Sequence, residues 1–265
     1  MIRPKRARTK LNIFDQALHV TLATFAIMKI ALLGYGKMGK AIEEIAVNRG
    51  HDVVLKIDEY NLGDFNKTNM SAANVAIEFT GPHSAYDNVK KALEFDVPLV
   101  CGSTGWLEKL EEIKKLCKDR NGSFIYASNF SVGVNIFFEV NKKLAGLMAL
   151  QKDYEVQVTE IHHTQKKDAP SGTAISIAEQ ILENLGRKKT WVNHISDTTE
   201  ELEIISERID PAPGIHKVKY SSAVDDIEII HTAHSRQGFA LGAVLAAEFI
   251  TGKKGIFSMR DVLGL

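Results

Sequence analysis

Apolar and polar positions alternate on two different periods along this chain. Ile30–Leu33 is a short apolar run with β-branched character; beyond a glycine-rich turn, Met38, Ile42, Ile45 and Ala46 recur at helical spacing, which predicts strand, turn and helix. Short runs of the same kind follow in VVLKI between His51 and Asp58, in VAIEFT, in PLVCGST and in SFIYAS, and each ends in a polar or glycine-rich loop. Helical patterns lie between them, over Tyr86–Phe95 and Leu107–Asp119. Strands alternating with helices imply right-handed crossovers and a parallel sheet, with ligands bound beyond the carboxyl ends of its strands. After Asn129 the pattern changes. A helix-like stretch over Val134–Leu150 leads into YEVQVTEI, which alternates strictly as a strand with one wet face does. LEIISERI, HKVKYSS and DIEIIHTA are longer and more polar than the first strands, as in an antiparallel or mixed sheet. The last long helix is predicted over Ala240–Thr251.

Composition narrows the function classes. The chain has 265 residues, 45% of them hydrophobic, enough for two modest cores. Its 33 basic residues balance 33 acidic ones, so no overall field favours nucleic acid or a membrane surface, and small-molecule chemistry is expected. Cys101 and Cys117 lack metal-ligand spacing, and a chain of this size needs no disulfide framework; a reducing cytoplasm is the expected compartment. No run approaches the roughly 20 apolar residues of a membrane helix. Residues 1–27 differ from the rest, with a basic MIRPKRARTK followed by a broken apolar stretch. Asp15, Gln16 and His19 interrupt what a signal peptide would need, so an amino-terminal extension, a tag or a flexible arm is expected, with Met28 as the natural start.

Two loops carry the chemistry. Gly34, Gly36 and Gly39, in GYGKMG, stand directly after the first strand and open a helix, the setting of a dinucleotide fingerprint: a tight turn, close backbone approach to a pyrophosphate, and close helix packing. Asp58 closes the second strand about 20 residues on, where a carboxylate accepts from the adenosine ribose hydroxyls. The loops Cys101–Trp106, Ala127–Asn135 and Thr80–Pro82 end neighbouring strands and are further cofactor contacts by position. The second motif is EIHHTQKKDAPSGTA, Glu160–Ala174, with two imidazoles at a strand end, a lysine four residues beyond the first, and a helix start at Pro170–Gly172. Free N–H groups of Gly172 and Thr173, with the hydroxyls of Ser171 and Thr173, make a seat for a carboxylate. Each piece also has an ordinary reading: a packed histidine pair, a solvated lysine pair, a helix cap. Adjacent strand residues point to opposite faces and no third ligand has suitable spacing, so no metal is expected.

The HH, K and DAPSGTA elements, in this order downstream of a GxGxxG start, resemble the signature of the 4-hydroxy-tetrahydrodipicolinate reductase family. The resemblance extends to EFTGPHS, CGSTGW, SNFSVGVN and HSRQGFALGAVLAAEFITGKKGIFSMRDVL, and so covers essentially Met28–Leu265. It implies a Rossmann-type parallel-sheet domain, residues 28–130 with 236–265, and an α+β substrate-binding and oligomerisation domain with a mixed sheet, residues 131–235. It implies a cyclic dicarboxylate substrate reduced in diaminopimelate and lysine biosynthesis, and a homotetramer built through the second sheet. By the same resemblance His162 is the proton donor, Lys166 rather than Lys167 the catalytic lysine, and His163, Ser171, Gly172, Thr173 and Arg236 the substrate contacts. Cofactor contacts fall on Gly34, Tyr35, Gly36, Lys37, Met38, Gly39, Asp58, Gly102, Ser103, Thr104, Ala127, Ser128, Asn129 and Phe130. The family uses NADH or NADPH. Asp58 and Glu59 meet a 2′-phosphate with like charge, while Lys56, on the same face as Asp58, offsets part of it, so dual use with NADH modestly favoured is expected.

Overall fold

The computed structural model describes residues 27–265; apart from Ile27, the expected extension over residues 1–27 lies outside the described residues. From Met28 the chain forms β1 (Lys29–Leu33), α1 (Lys37–Asn48), β2 (Asp52–Ile57), the short α2 (Lys67–Met70), β3 (Val75–Glu78), α3 (Ala85–Glu94), β4 (Leu99–Cys101), α4 (Leu110–Asp119) and β5 (Ser123–Tyr126). It continues with α5 (Val132–Met148), β6 (Glu155–His162), α6 (Gly172–Leu185), β7 (Thr190–Val192), β8 (Glu201–Arg208), β9 (Ile215–Ser221), β10 (Asp226–Thr232), α7 (Gln237–Ile250), β11 (Gly255–Phe257) and α8 (Met259–Leu263).

The first sheet is all parallel, in the order β11-β5-β4-β3-β1-β2. Strand order reverses at β1, so a crevice opens beyond the ends of β1 and β3. Its central strands are buried on both faces, which is why β3 and β4 read as unbroken apolar runs. One face packs on α1 and α7 around Ile30, Leu32, Ile77 and Val244; the other packs on α3 and α4 around Leu33, Val89, Leu99 and Ile113. The alanine- and glycine-rich sequence of α7 follows from its place: Ala240, Ala243, Ala246 and Ala247 are fully buried against the sheet, and only small side chains let a helix approach that closely.

The second sheet is mixed, in the order β10-β9-β6-β8-β7, with β6 parallel to β8 and antiparallel to β9. Its inner face packs Val156, Val158, Leu202, Ile204, Val218 and Tyr220 against α5 and α6. The helix foreseen over 134–150 runs two residues earlier, because Ser131 caps it by accepting from the Val134 N–H. No helix among the described residues is long and apolar enough to cross a membrane.

Candidate active site

The glycine loop is shaped by close contacts. Gly34 has φ +96°, and a Cβ there would lie 2.4 Å from the Phe79 carbonyl oxygen; one on Gly39 would lie 2.3 Å from the Gly34 carbonyl oxygen. Only glycine lets the turn pass between β3 and α1. Helix α1 starts at Gly36 with no side-chain cap and no acidic residue in its first turn, so its leading N–H groups are free for an anion. That suits the pyrophosphate of a nicotinamide dinucleotide. Tyr35 closes one side of the loop: its hydroxyl donates to Glu43, which also holds the Lys56 ammonium at 2.8 Å, and that ammonium lies 4.9 Å from the Tyr35 ring centre. Lys56 is thus engaged by Glu43, a carboxylate across the loop that the alternation along β2 could not reveal, and that hydrogen bond chiefly raises its pKa. Asp58 follows β2 and accepts from the Tyr60 N–H at 2.9 Å.

At the ends of β3 and β4 stands a carboxylate that the sequence did not single out. Glu78 is fully buried and accepts from the Thr80 N–H (2.9 Å), the Thr80 hydroxyl, the Ser103 hydroxyl (3.1 Å) and the Cys101 thiol (3.0 Å). Burial, with the Glu78 charge beside it, pushes the Cys101 thiol well above its usual range, so it remains a neutral donor. Glu78 therefore ties together two loops at the sheet's carboxyl edge. Of the other cofactor positions, Gly102 packs against the Phe79 ring, the Ser103 side chain turns inward to Glu78, and Phe130 is buried beneath α7. Thr104, Ser128 and Asn129 face a cavity of about 790 Å³.

That cavity brings the two sheets' chemistry together. Besides those three residues it is lined by His162, His163, Lys166, Ser171, Gly172, Thr173 and Arg236, so all seven catalytic and substrate positions expected from the sequence stand around one space. Asn129 donates to the Thr173 hydroxyl across it at 3.3 Å. Ser171 caps α6 by accepting from the Ala174 N–H at 3.2 Å, which leaves the amides of Gly172 and Thr173 at the helix mouth. Lys166 is partly buried and paired with both oxygens of Asp168, at 2.8 and 2.7 Å, whereas Lys167 is exposed and off the cavity wall.

Beneath His162 the register of the sheet assembles a polar row. Glu160 pairs with Ser206 on β8 and with His216 on β9, and His216 pairs with His231 on β10. All four point to the inner face, one step from the apolar core. Glu160 is fully buried; its oxygens accept from the Ser171 N–H (3.0 and 3.1 Å), the Ser206 hydroxyl (2.8 Å) and Arg208 (3.2 Å), and His162 Nδ1 lies 3.2 Å from Oε2. Burial works against its charge, but the adjacent His162 and the hydrogen bonds from Ser171 and Ser206 outweigh it and hold the carboxyl far below its ordinary range. His216 meets the Ser171 hydroxyl at 3.3 Å, and burial first, then the neighbouring His162, push its pKa down to about 3, so it is neutral. Glu160, His162 and His216 have the residue types of a metal site, their donor atoms lying within 4.8 Å of one another. Both oxygens of Glu160, however, already accept hydrogen bonds. Glu160 and His216 were missed in the sequence as site residues; the available signal was the alternation that puts Glu160 on the buried side of β6 with His162, where a charge needs partners.

A parallel sheet with a glycine loop at its switch point, facing an acid–base cluster on a second mixed sheet, defines a two-part nicotinamide-dependent oxidoreductase. Comparison with known proteins gives the family. The model of the dihydrodipicolinate reductase amino terminus matches residues 28–130 and that of its carboxyl terminus residues 133–263. A 4-hydroxy-tetrahydrodipicolinate reductase of Christiangramia forsetii is 50% identical over 240 residues, 89% of this chain and 98% of that protein. Another, of Methanocaldococcus jannaschii, is 40% identical over 199 residues, 72% of each chain. Among solved structures, the dipicolinate-bound dihydrodipicolinate reductase of Paenisporosarcina sp. TG-14 has the same fold, with TM-score 0.70, 23% identity, and 89% of this chain and 99% of that one covered. The chain belongs to the dihydrodipicolinate reductase family.

Proposed function

We infer that this chain reduces 4-hydroxy-tetrahydrodipicolinate, by way of its dehydrated ring, to tetrahydrodipicolinate in diaminopimelate and lysine biosynthesis, with His162 as the proton donor. The observation that carries the assignment is the single cavity in which His162, His163, Lys166, the Ser171–Thr173 helix mouth and Arg236 face Thr104, Ser128 and Asn129 of the dinucleotide side. A bound nicotinamide dinucleotide supplies the hydride. The amides of Gly172 and Thr173 receive one substrate carboxylate at the start of α6, where the helix field favours an anion. His163 and Arg236 add contacts to the same substrate. As charge develops on the ring nitrogen, His162 gives up its proton, and Lys166, held in place by Asp168, stabilises the negative charge nearby.

The division into residues 28–130 with 236–265 for the dinucleotide and 131–235 for substrate and assembly belongs to this proposal, supported by the return of α7 and β11 to the first sheet. Both NADH and NADPH are used, with NADH favoured modestly: Asp58 offers a carboxylate to the ribose hydroxyls, and Lys56 is paired with Glu43. The enzyme works in the cytoplasm as a homotetramer assembled through the second sheet. The decisive experiment is a rate assay in which the upstream synthase supplies the substrate. Lys166→Ala lowers kcat by at least about a hundredfold with cofactor affinity intact, and Lys167→Ala is nearly silent. Equal behaviour of the two variants overturns the site assignment.

A further inference from the structure

Glu160 is the one fully buried charge of the second sheet that touches the site from below, and the reaction as described gives it no task. We propose that Glu160 is the positioning residue of the proton transfer, fixing His162 through Nδ1 so that Nε2 serves the substrate, and at the same time anchoring the carboxylate seat through the Ser171 N–H. The inference rests on His162 being the proton donor.

The geometry supplies each part. Oε2 lies 3.2 Å from His162 Nδ1, and the other ring nitrogen, Nε2, approaches Gly214, a residue of the cavity wall whose missing side chain leaves it room. The approach at Nδ1 is a close ion-pair contact rather than an aligned hydrogen bond. A carboxylate accepts only, so a small turn of the ring that completes the bond selects, in neutral His162, the form protonated on Nδ1 and leaves Nε2 as the atom that loses and regains the catalytic proton. By occupying the Ser171 N–H with both oxygens, Glu160 pins the residue that caps α6 and leaves the next two amides for substrate. One carboxylate thereby sets the distance between acid and anion seat.

The other charged and titratable groups around His162 do not replace it. On β8, Arg208 reaches Glu160 Oε1 and the Asp168 carbonyl. On β9, His216 is neutral, its ring centre 5.2 Å from that of His162, and its register partner His231 on β10 is likewise pushed down by burial. In the loop beyond β6, His163 lines the cavity and Lys166 is paired with Asp168. Glu160 is the only carboxylate among these groups within ion-pair distance of His162. Removing its charge also leaves Arg208 without its carboxylate partner.

The test combines rates with nitrogen NMR on the full chain. In Glu160→Gln kcat falls while NADH affinity stays as in the wild type, and the ¹⁵N signals of neutral His162 move away from the Nδ1-protonated form. A merely structural glutamate would lower activity without changing the tautomer of His162. An unchanged tautomer in a folded variant overturns the proposal. Should the variant not fold, ¹⁵N-histidine shifts of the neutral ring in the wild type decide: protonated Nδ1 with bare Nε2 supports it, and the opposite form overturns it. Failure of the proton-donor assignment reads out separately, as a His162→Gln variant with wild-type kcat.

Discussion

Asp58 has few local partners: its backbone N–H donates to Asn61, its carboxylate accepts from the Tyr60 N–H, and it forms no ion pair among the described residues. Lys56, two residues back on β2, is held by Glu43 and lies over the Tyr35 ring. Asp58→Ser should therefore shift kcat/KM towards NADPH, by roughly fivefold, since one screened charge contact is worth about 1 kcal/mol. Kinetics with both cofactors on the two proteins check this, and an unchanged ratio would mean that Asp58 does not face the ribose. Much at this scale was legible in the sequence, because the glycine loop and the HH–K–SGT motif are local in the chain and their residues reach one space. Glu78, Ser206, Arg208 and His216 were not, since their meaning comes from partners on other strands, and lateral register leaves no local trace.

Between elements, the turn linking α1 to β2 is bolted to α7. Arg49 donates to both oxygens of Glu248, at 2.7 and 2.8 Å, and His51 Nε2 lies 2.8 Å from Oε1. Burial of Glu248 favours its neutral form, yet the hydrogen bonds from Arg49 and His51 prevail and its pKa is lowered. A carboxyl whose folded pKa is depressed gives its full stabilisation above the unfolded value and loses it as pH falls through the folded one. Glu248→Gln should cost about 1–3 kcal/mol at neutral pH, where it removes the charge of a buried carboxylate whose arginine partner is partly exposed. The gap in Tm to the wild type should then close as pH drops below the ordinary glutamate range. A gap independent of pH would mean that packing, not charge, holds the bolt. Elements of this length were easy to foresee from periodicity. The edge strands β7 and β11 were not: each has three residues and, unlike the equally short but fully buried β4, no unbroken apolar signal, and each owes its form to the one neighbour it pairs with.

For the whole molecule, the second sheet has one face under α5 and α6 and the other open. Ile205, Thr159, Lys217 and Ile230 stand in one row across that open face, by the register of β8, β6, β9 and β10. Ile230 is 56% exposed in the single chain. Assembly through this face should fail in the double variant Ile205→Lys, Ile230→Lys: sedimentation should report monomers or dimers in place of tetramers, with the far-ultraviolet spectrum retained. An intact tetramer would place the contact elsewhere. The chain's return to its first sheet has a further consequence, for synthesis. Helix α7 supplies Ala240, Ala243, Val244 and Ala247 to the first core, and β11 lies beside β5, so the first sheet gains part of one face and an edge only from residues made after the second sheet. On the ribosome β1 to β5 emerge before those residues, with the part of the face that α1 leaves uncovered still bare, until the second sheet has been threaded out between the two parts.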